Sequence, residues 1–356
     1  MIENLRRRMR HIIVPFLCFA CLIQCTNNKK ITGTWILQND FVNADIIRFS
    51  NNHFVYISPY DGTKYSEECK LFYSEDSVTL SFQFGDNSFK FSINKDGLEF
   101  VNAEYDHFYF EQYQDGNILD FFNRKYKRHI NLPKIELDKM GRYPGSNNVF
   151  FINLEGDTAK LFHNNMEYVI DSLFHLNLPV QEEDSWDVNN ICFFDAATPY
   201  YIVRKIKKEL AKISLPLRRI KYISVNEKNR LCEMNSRIPP LEDTITNQQY
   251  RFSLEVYEDK IIINSNNNIS MEKLMDMLSA EIQTSSDFSF EFYIDNNVSY
   301  GHYIHFLSDI RQVYHTIRNE YAGKKYNVTD YRLLDRDDLY EIQEQIPMNY
   351  QERWEK

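Results

Sequence analysis

The sequence predicts a multidomain chain of class β plus α+β, with an antiparallel meander or barrel at the front and two consecutive α+β modules behind it. Three observations predict this. From Ile31 to about Tyr113 short alternating strands follow one another with almost no helical period. Beyond residue 148 the strands alternate with stripes at helical spacing. Two aspartates that end apolar strands, Asp195 and Asp295, stand 100 residues apart in matching surroundings. The length of 356 residues, 43% of them hydrophobic, is enough for two or three ordinary cores. The 24 Tyr and 26 Phe, against 10 Gly and 10 Pro, favour aromatic-rich sheet over disorder.

The first element is a leader. "MIENLRRRMRH" places Arg6, Arg7, Arg8 and Arg10 ahead of the apolar run "IIVPFLCFACLIQC". That run is shorter than the roughly 20 apolar residues of a permanent bilayer helix. Residues 1–24 therefore read as an export signal, with a plain signal anchor as the other reading. The run ends at Cys25, after Leu22, and turns polar at once with "TNNKK". This resembles the lipobox of bacterial lipoproteins, which implies that Cys25 carries the lipid. Gln24 stands where a small residue is usual, and Cys21 after Ala20 is the alternative. Loss of residues 1–24 removes four Arg and one Glu, moving the net charge from −10 to about −13. An acidic exported chain is a poor match for nucleic acid. The remaining Cys69, Cys192 and Cys232 are too few and too scattered for a disulfide framework.

The second element, residues 25–130, holds "DIIRFS", "HFVYIS", "KLFYS", "SVTLSFQF", "SFKFSI" and "GLEFV", separated by Asn51-Asn52, Asp61-Gly62, Gly85-Asp86 and Asp96-Gly97. Alternating strands punctuated by such turns make a meander, and closure hides its edges. At its front "ITGTWIL" carries Gly33-Thr34-Trp35. This resembles the G-x-W start of lipocalin-like domains, which implies that Trp35 closes one end of a barrel. The interior then either holds a small apolar ligand or is filled by its own side chains. Residues 131–147, with Pro133, Gly141, Pro144 and Gly145, read as a linker.

The third and fourth elements, residues 148–228 and 249–356, read as a repeat joined by a second linker at 229–248. In the first, a strand ends in Leu154-Glu155, a Gly-Asp turn follows, and Met166, Ile170, Leu173 and Phe174 lie at helical spacing. In the second, Leu254-Glu255, the strand "KIIIN" and the stripe Met271, Leu274, Met275, Leu278, Ile282 repeat the plan. Leu154 and Leu254 share the offset of the two aspartates, so the sequence predicts duplication. Each copy continues into a strand, its aspartate, a short step and a helix. Thr198-Pro199 predicts an N-cap and first turn before the face Val203, Ile206, Leu210, Ile213, with "IKYISV" as a closing strand. Ser299 is the cap expected before Tyr300, Tyr303, Leu307, Ile310, Tyr314 and Ile317. The tail "YRLLDRDDLYEIQEQIPMNYQERWEK" is either a short helix laid on the second copy or a partner-binding segment.

Strand, turn, strand, helix, strand ending in Asp, a short step, Tyr and a long helix together resemble the periplasmic domain of the ExbD/TolR family of biopolymer-transport proteins. The resemblance covers two tandem copies and is strongest in "FYIDNNVSYGHYIHFLSDIRQVYHTIRNEYAGKKY". It implies an envelope protein that faces the periplasm, meets protein partners and can pair through these domains as a homo-oligomer, or as a dimer fused in one chain. Family members carry a transmembrane helix with an acid that uses the proton gradient. Here no acid lies between Ile12 and Gln24, which implies that the chain has no proton-conducting helix of its own.

Candidate chemistry is sparse. Asp195 and Asp295 could form an acid/base pair, but equivalent positions in two copies need not face each other. An Asp between strand and helix commonly accepts nearby backbone N–H bonds, and that is the expectation for both, with Tyr200 and Tyr300 as structural landmarks of the corner. His302, His305 and Asp309 have ligand types that could bind zinc, yet they point away from the apolar stripe, as a solvated face does. No H-E-x-x-H, G-x-S-x-G, P-loop or G-x-G-x-x-G occurs, so the sequence implies neither an enzyme nor a cofactor.

Overall fold

In a computed structural model of the chain, the described residues are 33–37, 46–50, 53–57, 64–73, 77–82, 88–94, 97–101, 107–114, 118–125, 127–139, 147–163, 166–175, 189–213, 219–239, 250–285 and 288–355. The chain divides into two compact units, Met1–Gly116 and Asn117–Lys356. The leader 1–24 and its lipidation candidates Cys25 and Cys21 lie outside the described residues. Among the described residues no helix is long and apolar enough to cross a membrane.

The first unit is the meander. Strands β1 (Gly33–Leu37), β2 (Ile46–Ser50), β3 (His53–Ile57), β4 (Lys64–Tyr73), β5 (Ser77–Phe82), β6 (Ser88–Asn94), β7 (Gly97–Val101) and β8 (His107–Tyr113) pair in chain order, and β1 returns to β8 to close a barrel. Closure removes the free edges that a meander would otherwise expose. Alternate residues face inward, so Trp35 and Leu37, Ile47 and Phe49, Phe91 and Ile93, and Leu98 and Phe100 join Val78 and Phe110 in one apolar cluster. Phe49 on β2 meets Phe91 on β6, halfway around the ring, edge to face at 5.7 Å. Aromatic side chains therefore span the barrel from wall to wall. Trp35 is half-buried on this cluster and pairs in register with Ile47 and Gln112. Its ring N–H is buried and has no hydrogen-bond partner among the described residues.

Gly33, at the entry to β1, has φ 111°, a conformation side chains disfavour. Gly97 serves a different need. A Cβ there would run into the backbone carbonyl of Phe110 on the neighbouring strand β8. Gly97→Ala is expected to destabilise the barrel by about 1–3 kcal/mol, as overpacking against an immovable neighbour does, and a denaturant melt of the purified protein checks it.

The second unit contains both predicted copies. The first comprises β10 (Asn147–Glu155), β11 (Thr158–His163), β12 (Met166–Tyr168), a 3-10 turn at Ile170–His175, β13 (Asn189–Phe194), helix α2 (Tyr200–Ile213), β14 (Arg219–Val225) and β15 (Leu231–Arg237). The second comprises β16 (Phe252–Val256), β17 (Ile261–Ile263), β18 (Asn267–Ile269), α3 (Met271–Thr284), β19 (Phe290–Ile294), α4 (Tyr300–Tyr326), α5 (Arg336–Gln345) and β20 (Tyr350–Glu352). Sheet order is β12-β11-β10-β13-β14-β15 in one and β18-β17-β16-β19-β20 in the other. In both, a hairpin precedes a parallel crossover and the last shared strand adds parallel to the Asp-ended one. The two segments share one strand order and one pattern of parallel and antiparallel pairing. Buried residues of both copies join in a single core, including Cys192, Phe194 and Tyr222 from the first and Phe292, Tyr300 and Tyr303 from the second.

Several sequence expectations change. Leu154 and Leu254 are not equivalent, because register places Ile152 opposite Phe194 and Val256 opposite Ile294. The hairpin of the first copy runs two residues further past its neighbour, so the shared offset of the leucines is coincidence. Met166 sits in a short strand and is 58% exposed, whereas Ile170 and Leu173 are buried in the 3-10 turn that replaces the expected helix. The expected linker at 229–248 contains β15, whose residues 231–234 are buried against β14. The tail resolves into α5 and the edge strand β20, so the predicted helix is joined by a strand that the sequence did not announce.

The expected first linker also has structure where it is described. Helix α1 (Ile118–Lys125) and residues 127–130, expected in the barrel domain, belong to the second unit, which starts at Asn117, and the segment that follows buries Ile130, Leu132 and Ile135. Ile135 N–H donates to the Val225 carbonyl at 2.9 Å, and Val225 N–H donates to the Pro133 carbonyl at 3.0 Å. β9 (Asp138–Lys139) then pairs with β15 at the sheet edge. Successive residues of β10 and β13 are buried on both faces of the sheet, which is why these strands read as continuous apolar runs. Phe151 stacks on Phe193 at 4.8 Å, and the Arg128 guanidinium lies 4.5 Å from the Phe151 ring centroid.

Candidate functional site at the junction of the copies

The two strand-to-helix corners meet each other. Tyr200 N–H donates to the Val298 carbonyl and Tyr300 N–H to the Thr198 carbonyl, both at 2.7 Å. Tyr201 N–H reaches the Asn296 carbonyl at 3.1 Å and Gly301 N–H reaches the Ala196 carbonyl at 2.8 Å. Pro199 and Ser299 form an antiparallel bridge between these pairs. Every bond has its counterpart 100 residues along, so the copies are related by a local twofold axis through the corners. The N-terminal amides of a helix have no partner within their own helix. Here each copy supplies carbonyl acceptors for the other.

The aspartates shape these corners. Asp195 Oδ1 accepts from Ala197 N–H and Asp295 Oδ1 from Asn297 N–H, each at 3.0 Å. Their own carbonyls accept from Thr198 and Val298 N–H. Both are side-chain-capped turns, as expected. They differ in burial, since Asp195 is buried and its Oδ2 also accepts from Asn131 N–H at 2.8 Å, whereas Asp295 is half-exposed. Asp195→Ala should therefore lower stability by about 1–3 kcal/mol, the range for stranding a buried partner, and Asp295→Ala by less. Equal losses in paired chemical denaturation curves would contradict this ranking.

The caps differ as well. Ser299 Oγ accepts from His302 N–H at 3.2 Å and donates to Glu258, which fulfils the expected N-cap. Thr198 does not cap. Helix α2 begins one residue later than the motif predicts, and the buried Thr198 hydroxyl has no partner among the described residues. Its backbone is already committed to the corner, with the N–H bound to the Asp195 carbonyl and the carbonyl to Tyr300 N–H. His302, His305 and Asp309 occupy the side of α4 away from its buried stripe, with His305 exposed and Asp309 half-buried. Burial raises the Asp309 carboxyl and the two histidines oppose the shift. Among the described residues no three His, Cys, Asp or Glu come together as a metal set.

Beneath the corners lies a polar cluster that the sequence reading missed. Lys207, on the buried face of α2, places Nζ 2.5 and 2.6 Å from the two carboxylate oxygens of Glu352 on β20. Tyr200 donates its hydroxyl to one of these oxygens, and Tyr303 donates to the other at 2.9 Å. The Tyr222 hydroxyl lies 3.3 Å from that of Tyr303. Lys207 and the three tyrosines are fully buried. Burial, reinforced by Glu352, holds these phenols far above their usual range, so they remain neutral donors. Burial also pulls the Lys207 ammonium below its usual range, and the Glu352 carboxylate counters that pull. Arg204 adds an outer clamp, reaching the Ile294 carbonyl and Asn296 Oδ1 across the junction and stacking over Tyr200 and Tyr293.

One signal for Lys207 was present. It falls on the same helix face as Val203, Ile206 and Leu210, where a lysine is out of pattern. Glu352 gave none. Chemically, the cluster is closed to solvent and saturated with internal hydrogen bonds, an arrangement that locks two surfaces together. No protein-family model, curated protein or solved structure matches the chain.

Proposed function

We propose that this chain is a non-enzymatic, lipid-anchored protein of the cell envelope, facing the periplasm, that works through protein contacts in a biopolymer-transport or envelope-integrity assembly. In this reading its second unit is a fused pair of ExbD/TolR-like domains. The observation that carries the reading is the corner-to-corner pairing of two copies with one topology, each with an aspartate directly after the strand that leads into its helix. In this reading the leader and Cys25 supply the anchor, and the apolar run from Ile12 to Gln24, which carries no acid, does not serve as an energising helix. The chain therefore acts as an accessory that presents a fixed surface to a partner complex.

The alternative, a barrel that binds a small apolar ligand, has weaker support because Phe49, Phe91, Phe100 and Phe110 occupy the interior. The test is crosslinking in intact membranes followed by pull-down, with Cys25→Ser as the control that loses the anchor. Recovery of energising-complex components with the native chain, and not with the control, is the expected result. A membrane-bound chain that captures none of them would remove the assembly role.

A further inference from the structure

We propose that the Lys207–Glu352 pair is a recognition code that makes the two copies partners of each other and prevents either from pairing with its own kind. The inference comes from comparing positions across the local twofold. Helices α2 and α4 begin at Tyr200 and Tyr300, so Lys207 corresponds to Leu307. Tyr222 lies opposite Cys192 and Glu352 opposite Phe292, so Tyr222 and Glu352 occupy one place in the shared topology. Each helix faces the last shared strand of the other copy. On one side Lys207 meets Glu352 at 2.5 Å. On the other, Tyr300 and Tyr303 meet Tyr222, with ring centroids 6.1 and 5.7 Å apart.

The backbone contacts at the corners are symmetric and do not discriminate between copies. The charges do. A first copy paired with another first copy would bring Lys207 against Tyr222, leaving a buried ammonium without a carboxylate. A second copy paired with another second copy would set Glu352 against Leu307, leaving a buried carboxylate without a cation. Either homotypic pair strands a charge in the core, and an uncompensated buried charge is among the most destabilising features an interface can carry. Only the mixed pair satisfies every group. Buried polar residues that fix register and partner at little gain in stability are the best-attested use of such pairs.

The test uses the full chain in unlabelled and ¹⁵N-labelled forms, unfolded together, refolded at high concentration, crosslinked through lysines and read by mass spectrometry. Native protein should give no Lys208–Lys208 links between light and heavy chains. The double variant Lys207→Leu/Glu352→Tyr gives each copy the residue its counterpart already has. It should raise such interchain links several-fold. Links no more abundant than in the native protein, or equally abundant in both, would overturn the proposal. A second arm covers a variant that folds poorly. Chains carrying Lys207→Glu and chains carrying Glu352→Lys should each refold in low yield alone. Mixed, they should recover as light–heavy dimers, because exchange of copies restores both ion pairs. Equal yields alone and mixed would also refute the code.

Discussion

Lys207→Leu is expected to lower the unfolding free energy of the second unit by about 3–5 kcal/mol, the range for breaking a buried ion pair by removing one partner. The loss does not come from the lysine's own packing, since Leu is apolar and fits the neighbouring Val203, Ile206 and Leu210. It comes from Glu352, which would keep its hydrogen bonds from Tyr200 and Tyr303 but lose the one cation that pairs with it among the described residues. Removing both charged groups should restore part of the loss. A double-mutant cycle in guanidinium chloride should show a coupling of about 0.5–3 kcal/mol. Recovery would be incomplete with an aliphatic at 352, because Tyr200 and Tyr303 would be left as buried donors. Additive losses in that cycle would mean that the two side chains do not act as a pair.

Phe91→Ala is the second large effect, with an expected loss of about 3–5 kcal/mol confined to the barrel. Phe91 sits where rings from several strands converge, with centroids 5.7 Å from Phe49, 5.3 Å from Phe100 and 5.9 Å from Phe110. Its neighbours are held on different strands of a closed ring and cannot all collapse into the space it leaves. An apolar cavity of that kind stays dry and takes up small hydrocarbons. The variant should therefore bind a benzene-sized probe in calorimetry, while the native barrel does not. Comparable binding by the native protein would show free internal volume and shift the functional reading to the barrel.

The strands of the barrel were legible because alternation and turn residues are local signals. Closure fits the same pattern, and the inward positions follow from period two alone. The long stripe of α4, from Tyr300 to Ile317, was legible for the corresponding reason at helical period, and every residue named for it is buried. Asp195 and Asp295, matched by their offset, do hold the same place after corresponding strands. The offset of Leu154 and Leu254 did not, because hairpin length is free to vary while a strand-to-helix corner tied to a partner is not. β15 was missed inside a presumed linker. Its alternation is weak, since residues 231–234 are all buried.

What the sequence determined by itself is the strands of the barrel, the two strand-to-helix corners and the faces of α2 and α4 that must be buried, since each depends on residues a few positions apart. What only tertiary structure decided is how the copies use those faces. Lys207 and Glu352 are 145 residues apart and have no shared local pattern. Their pairing exists because two similar corners exchange backbone hydrogen bonds and bring one helix over the other copy's last strand. A lysine on an apolar stripe is only an irregularity in one dimension. In the folded chain it becomes the cation that pairs with a buried carboxylate, and desolvation makes that choice of partner energetically decisive.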